Sequence, residues 1–413
     1  MTPVFSILHS GRSVAWRHRG MTLIELMVAM VIGLGVTLAV SSLVVVGENH
    51  KRTTTSTNDA EQTGAFAVYS LDRIVRSAGS GFADSAYPTD QGVLGCTLNV
   101  TAPGFIGLPR PAGTPFPAPF SVNFLGGAVN TLRVAPLLIG FNQSDDGRSD
   151  VLVVMSGSGA AGGVPRQVTI PGTATSLTLD NTVGFADRDL AIVSQSGTSD
   201  CLLEQVLGNP VGAALPLGGL YYTTTGTTTT IASLAASTAS YVTPIGNAGA
   251  NNVQFQLLTV DANRILASYD LLQNIKIVQA SGGADAVQAI ADGVDQIHAI
   301  YGIDALGTGK QSTWVSPAPL GGYDINTVMT TPAVMRKIVS VRIALVVRGE
   351  YYDKNVVTPP TLTLFDNLTD AAGAPLPLLK QTVNLSALDQ QYRYRVFEFT
   401  VPLRNMLLLA QAP

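Results

Sequence analysis

Glu25 is the residue of this chain whose type and position most demand chemistry. It lies in the stretch RGMTLIELMVAM, Arg19 to Met30, and it is the single charge between Met21 and Gly47. A lone carboxylate in hydrocarbon is costly, and it becomes tolerable where a cation neutralises it. Just before it stand Gly20 and the basic residues Arg12, Arg17 and Arg19. Other reactive types are sparse. The two cysteines, Cys96 and Cys201, form one disulfide or stay as two separate buried thiols. Beyond the apolar run the histidines are His50 and His298, and neither has Cys or carboxylate neighbours at zinc spacing. His298 falls in an alternating strand and reads as structural. SDDGRSD gathers Asp145, Asp146 and Asp150 but lacks the spacing of an EF-hand, and reads as a turn. GSGAAG, Gly157 to Gly162, matches a dinucleotide-binding pattern, but Pro165 and an alternating strand follow where a helix is needed. A glycine-rich hairpin is the better expectation there. With no GxSxG and no Ser/His/Asp order, no catalytic residue, metal site or cofactor is expected.

The element that must hold Glu25 is a long helix. Leu26 to Gly47 carries no charge over 22 residues, enough to cross a bilayer once. Arg12, Arg17 and Arg19 keep the start of the chain cytoplasmic, so the remainder is exported. An ordinary signal peptide has a shorter apolar core and a small-residue cleavage site at its far end, and a plain anchor accounts for neither Gly20 nor Glu25. Past the apolar run, Ala60, Gly64, Ala67, Val68, Leu71, Ile74, Val75 and Ala78 recur every three or four residues, one stripe suited to packing under a globular head. Gly79 to Gly81 stops that helix, and Gly33, Gly35 and Thr53 to Thr55 are expected to bend or fray it.

RGMTLIELMVAMVIG closely resembles the class III signal of type IV prepilins and pseudopilins. The resemblance implies that a prepilin peptidase cuts after Gly20 on the cytoplasmic face, that Met21 becomes N-methylated, and that Glu25 takes part in filament assembly. Phe is the usual residue after the cut, so Met21 is a mild departure. Cleavage would free an amine at Met21, the partner that Glu25 needs, in its own chain or in a neighbouring subunit.

The chain has 413 residues, 46% hydrophobic and 13% charged, with 24 bases to 28 acids. Without Arg12, Arg17 and Arg19 the balance is 21 to 28, which argues against bulk attraction to nucleic acid. From Phe82 onward the pattern is one of strands and turns. The Pro-rich Thr101 to Phe120 reads as irregular loop, SDVLVVMS and RDLAIVSQ as strands, and TTTGTTTT, Thr223 to Thr230, as a flexible tip or loop. NVQFQLLTVD and RILASYDLL read as a strand pair. AVQAIADGVDQIHAIYGID is expected to begin as a short helix, break at Gly293 and end as a strand. KIVSVRIALVVRGEY alternates, with Val339, Val341, Ile343, Leu345 and Val347 on one face and Arg342 and Arg348 on the other; YRYRVFEFTVPLRN is a last strand. The order of these pieces resembles PilW-type minor pilins, with Gly81 to Gly95 lengthened and Gly218 to Ser240 inserted as surface loops. The pieces LGC and SDC support a Cys96–Cys201 bridge.

The expected fold is therefore α+β: a leader at 1–20, a transmembrane and assembly helix at 21–47, its amphipathic continuation at 48–81, and a β-rich head at 82–413. The resemblance implies a minor pilin that helps to initiate type IV pilus assembly near the tip. Its partners would be the prepilin peptidase, other minor pilins and the major pilin, met first in the inner membrane and then in the pilus at the cell surface. The competing readings are a GspJ-like pseudopilin of type II secretion, and an adhesin or DNA-uptake subunit of the pilus.

Overall fold

A computed structural model describes residues 20–83, 93–103, 107–111, 113–126, 131–158, 164–195, 199–272, 287–319 and 321–407. The leader before Gly20, most of the lengthened segment between Gly81 and Gly95, and the end of GSGAAG lie outside these residues. Two compact units are present, Met1–Thr55 and Ser56–Pro413. In the first, the helix α1 (Leu23–Arg76) begins and runs without a break through Gly33, Gly35 and Thr53 to Thr55. Thr37 Oγ1 donates to the Gly33 carbonyl at 2.6 Å and Thr54 Oγ1 to the His50 carbonyl at 3.0 Å, so weak helix formers are tied back to the preceding turn.

In the second unit the last part of α1 leads into a β-rich body. In chain order come β1 (Thr97–Asn99), β2 (Leu137–Gly140), β3 (Val151–Ser156), β4 (Arg166–Thr173), β5 (Ser176–Leu179) and β6 (Asp189–Gln195). Then follow β7 (Asp200–Val206), β8 (Ala214–Tyr222), the short helix α2 (Ile231–Ala235), β9 (Ser240–Asn247), β10 (Gln254–Val260) and β11 (Ile265–Asp270). The last strands are β12 (Val287–Asp292), β13 (Val294–Ile303), β14 (Thr313–Val315), β15 (Ile338–Arg348), β16 (Thr361–Leu364), β17 (Gln381–Asn384) and β18 (Tyr394–Pro402).

These strands make three bodies of sheet and one small ribbon. The first runs β1-β7-β6-β9-β4-β5-β8, and a further pairing of β7 with β8 closes six of its strands into a ring. Closure removes sheet edges, and Val193, Leu202, Val206, Leu215 and Val242 belong to the core cluster of this barrel. The second sheet runs β12-β11-β10-β3-β2 and the third β14-β13-β15-β18, while β16 and β17 pair separately. The third sheet is covered on both faces. Val341, Ile343, Leu345 and Val347 join the large core beneath α1, whereas Ala344 and Val346 pack with Leu364, Phe365 and Val383 of the ribbon. The face of β15 that carries Arg342 and Arg348 is thus buried too, and Arg342 is neutralised there by Glu398 at 2.8 Å.

Three sequence expectations are corrected here. Residues 287–292 are a strand and not a helix: β12 pairs antiparallel with β11, and this partner overrides the helix-forming alanines. The break at Gly293 is where expected, with φ +77°. The segment after β3 is no hairpin, because β3 pairs with β2 and β10 while β4 pairs with β5 and β9. Gly157 is instead a point of close approach, where a Cβ would overlap the Ile245 carbonyl. The Thr-rich run is a built cap on the barrel. Asp200, buried, accepts from the Thr228 amide, from Thr228 Oγ1 at 3.0 Å and from the Thr229 amide at 3.2 Å. Thr227 donates to Asn99 at 3.2 Å, and Thr230 caps α2 in a reciprocal pair with Ser233.

Two buried carboxylates join the second and third sheets. Asp150, the last residue of SDDGRSD, accepts from the amides of Asn142 and Ala299, both at 2.8 Å, and its own carbonyl accepts from Thr259 Oγ1. Asp295 on β13 accepts from Arg148 at 2.8 Å and from Arg264 at 3.1 Å. Asp145 accepts from Ser121 and the Val122 amide, and Asp146 from Ser144 and the Arg148 amide, so this acidic stretch is spent on turn bonds. His298 is buried on β13 beside Gln296 and Asp150.

Cys96 and Cys201 form a disulfide that ties the start of β1 to β7, its parallel neighbour. The bridge spans a sequence separation of 105, for which the chain-entropy model gives about 4–5 kcal/mol of stabilisation. Replacing both cysteines by alanine should lower the unfolding free energy of the second unit by about that amount, measured by denaturant titration of the full chain in detergent. Glu204, on the same face of β7 as Leu202 and Val206, is fully buried, and among the described residues its carboxylate accepts one hydrogen bond, from the Thr223 amide at 3.4 Å. Burial pushes its carboxyl up to about 9. A raised folded value means that its stabilisation is complete below the ordinary carboxylate range and is lost as pH rises toward about 9, at most about 1.4 kcal/mol per pH unit. Unfolding midpoints should therefore fall from about pH 5 to about pH 8, and Glu204→Gln should flatten that slope.

Candidate assembly and processing site

The first half of the site is the start of α1. Gly20 to Thr22 lie outside the helix, and Thr22 acts as its cap: Thr22 Oγ1 accepts from the Glu25 amide at 3.3 Å, and the Thr22 carbonyl accepts from the Leu26 amide at 3.1 Å. Glu25 is thus the third helical residue and the acid of the first turn, where the positive end of the helix dipole favours a carboxylate. The spacing Thr-x-x-Glu is that of a capping box, a signal present in the sequence and missed there. Met21 and Glu25 are exposed, as is the apolar run that follows, with Leu23 at 77% and Leu38 at 73%. Such a surface is stable only against lipid or other helices. The helix is long and apolar enough to cross a membrane. Nothing lies within 4 Å of a Cβ placed on Gly20. The packing of the described residues therefore does not require glycine there.

The second half is the seat of α1 on the third sheet. Ala60, Gly64, Ala67, Leu71, Val75 and Ala78 of the expected stripe are buried, and Val68 and Ile74 are half-buried against the same core. At Gly64 the helix comes so close to β18 that a Cβ would overlap the Phe397 ring. Gly349 stands likewise against Ser56. Arg395 faces Glu61 at 3.7 Å beside this contact. The far end is capped from the C-terminal region, where Asn405 Nδ2 donates to the Ala78 carbonyl at 2.9 Å. The turn beyond uses Gly79 and Gly81 at φ +77° and +82°. Phe397 and Asn405 were not marked as functional in the sequence, since neither type nor spacing shows which strand meets the helix. Among the described residues no three His, Cys, Asp or Glu side chains gather as a metal site.

Residues 17–41 match the family model of the prokaryotic N-terminal methylation motif, and residues 264–405 match that of Type IV Pilus-assembly protein W. No curated protein and no solved structure matches the chain. The two matches fall on the two halves of the site. The first covers Gly20, Met21, Glu25 and most of the apolar run; the second runs from Arg264 through β18 to Asn405 and so contains the platform under α1. They bear out the resemblance to PilW-type pilins.

Gly64→Val should strain this seat and cost about 1–3 kcal/mol, as overpacking does. The neighbouring exposed Ala65→Val should stay within about 0.5 kcal/mol of the parent. Thermal unfolding of the two full-length variants would compare them directly.

Proposed function

We propose that this PilW-type pilin is a minor pilin that helps to initiate type IV pilus assembly, near the pilus tip. The leader ends at Gly20, the mature chain begins at an N-methylated Met21, residues 21–47 form the membrane and assembly segment, 48–81 its continuation, and 82–413 the exported head. The reading is carried by Glu25: one carboxylate in the first turn of a helix whose next 22 residues, Leu26 to Gly47, bear no charge. A cut after Gly20 frees an amine four residues before it. That amine sits at the positive end of the helix dipole, which disfavours it, and so it gains from pairing with a carboxylate. The Glu25 of one subunit and the amine of the next would fix the axial position of one helix against another. The open space around Gly20 supports recognition by a processing enzyme as the reason for that glycine. The match of 264–405 to a pilus-assembly family favours a pilus over a secretion system.

Glu25→Ala tests the reading. Insertion should be unimpaired or slightly easier, since a costly charge is gone, and cleavage after Gly20 should persist. Removing one partner of a desolvated pair costs about 3–5 kcal/mol, so the processed variant should accumulate in the inner membrane while pilus number falls. Pilus counts by electron microscopy and fractionation of cells in which the variant is the only copy would decide; normal piliation at normal protein level would overturn the assignment.

A further inference from the structure

Beside Asp150 stands a histidine with one nitrogen unused. His298 is buried on β13, and among the described residues its enclosed Nδ1 has no hydrogen-bond partner. Two bonds hold the strand against Asp150 on either side of it. The Asp150 amide donates to the Ile297 carbonyl at 2.9 Å, and the Ala299 amide donates to Asp150 Oδ2 at 2.8 Å. Nδ1 is left 3.8 Å from Asp150 Oδ1. The other ring nitrogen, Nε2, lies 3.0 Å from the side-chain amide of Gln296, which also faces Arg148. A guanidinium only donates. The Gln296 oxygen therefore belongs on Arg148, where it accepts from Nε at 3.2 Å and from Nη2 at 2.7 Å, and the Gln296 nitrogen donates to His298 Nε2. Nε2 is then an acceptor, and the imidazole carries its single proton on Nδ1, the nitrogen nearer Asp150.

We infer that Arg148, Gln296, His298 and Asp150 form a proton-operated joint between the second and third sheets. A proton taken from solvent adds to Nε2 and makes it a donor. It then meets the donor end of Gln296, so the amide turns and presents its oxygen to the ring. The turned amide sets donor against donor at Arg148, which keeps only its bond to Asp295. The imidazolium gains the carboxylate of Asp150. The joint thus has two settings, and the proton selects between them. In one, Arg148 holds Gln296. In the other, Gln296 holds His298, and the loop 144–150 that carries Arg148 loses a tie to β13.

The other charged groups near this face are themselves paired. Asp295 on β13 is held by Arg148 and Arg264. Across the sheet, Ala344 and then Glu398 stand in the row of His298, and Glu398 is held by Arg342 at 2.8 Å. Arg348, at the end of β15 and opposite Tyr394, meets Asp389 at 3.8 Å. The ribbon brings the apolar Phe365 and Val383 to this side.

The test uses the full chain in detergent with isotopically labelled histidine, and nitrogen NMR of the His298 ring, assigned by its loss in His298→Gln. At about pH 8 the proton should sit on Nδ1, and by about pH 5 both nitrogens should carry one. Hydrogen exchange of residues 144–149, corrected for its intrinsic pH dependence, should rise by about threefold or more over the same range. That rise should vanish in His298→Gln and persist in Glu204→Gln, which removes the other buried group that responds to pH. Gln296→Glu gives both Arg148 and Nε2 an acceptor, so the doubly protonated ring should persist to higher pH than in the parent. A proton on Nε2 at about pH 8, a ring that keeps one proton down to about pH 5, a rise in exchange that survives His298→Gln, or a ring in Gln296→Glu that titrates as in the parent would each overturn the inference. The tautomer is read on the unsubstituted chain, so a variant that fails to fold leaves the test standing.

Discussion

A single buried carboxylate, Asp150, sets the relation between the two open sheets. It binds the Asn142 amide beside its own hairpin and the Ala299 amide of β13, and its main chain bonds Ile297 and the Thr259 hydroxyl. Four bonds from one residue thus reach β10, β13 and the turn before β3. Asp295 adds a second cross-link, with Arg148 and Arg264 arriving from different loops. Breaking either would leave charge buried without a partner, which is more costly than the pair is worth. The platform under α1 depends on these bonds, because β13 and β15 form one sheet and β15 and β18 carry the seat of the helix.

That seat shows how little side-chain volume an approach can leave. The stripe is built of Ala, Gly and a few branched aliphatics, and at Gly64 the Phe397 ring occupies the place where a Cβ would stand. Small residues let the helix come near the sheet, and the larger Leu71 and Val75 then fill the space toward the core. The opposite face of the same turns carries Phe66 and Tyr69, exposed at 55% and 66%. The helix is thus apolar on a second side as well, past the end of its uncharged run.

Much of this was legible in the sequence. A stripe at three- and four-residue spacing that ends at Gly79 to Gly81, an uncharged run earlier in the same helix, and the alternation of β15 are local patterns, and each appears where it was read. The cysteine pairing was legible from export and an even count. What was not legible depends on partners far along the chain. Residues 287–292 form a strand because β11 is there to pair with. Thr223 to Thr230 is a fixed cap because Asp200, almost thirty residues earlier, needs donors. The second covered face of β15 depends on the ribbon of β16 and β17, and closure of the barrel depends on β7 meeting β8 after having met β6. At Gly20 and Glu25 the packing of the described residues adds little to the sequence, since Gly20 has open space around it and Glu25 is exposed.

The Cys96–Cys201 bridge has a mechanical consequence. A pull applied between α1 and the C-terminal platform runs along the main chain to Cys96 and crosses directly to Cys201. The 105-residue separation between them, roughly 350 Å of extended chain, is thereby shunted out of the load path. Three strands of the barrel ring, β4, β5 and β6, and the hairpin bearing Asp150 lie inside the bridged segment and could unfold under tension without lengthening the molecule. The extensible length is confined to the links outside the bridge.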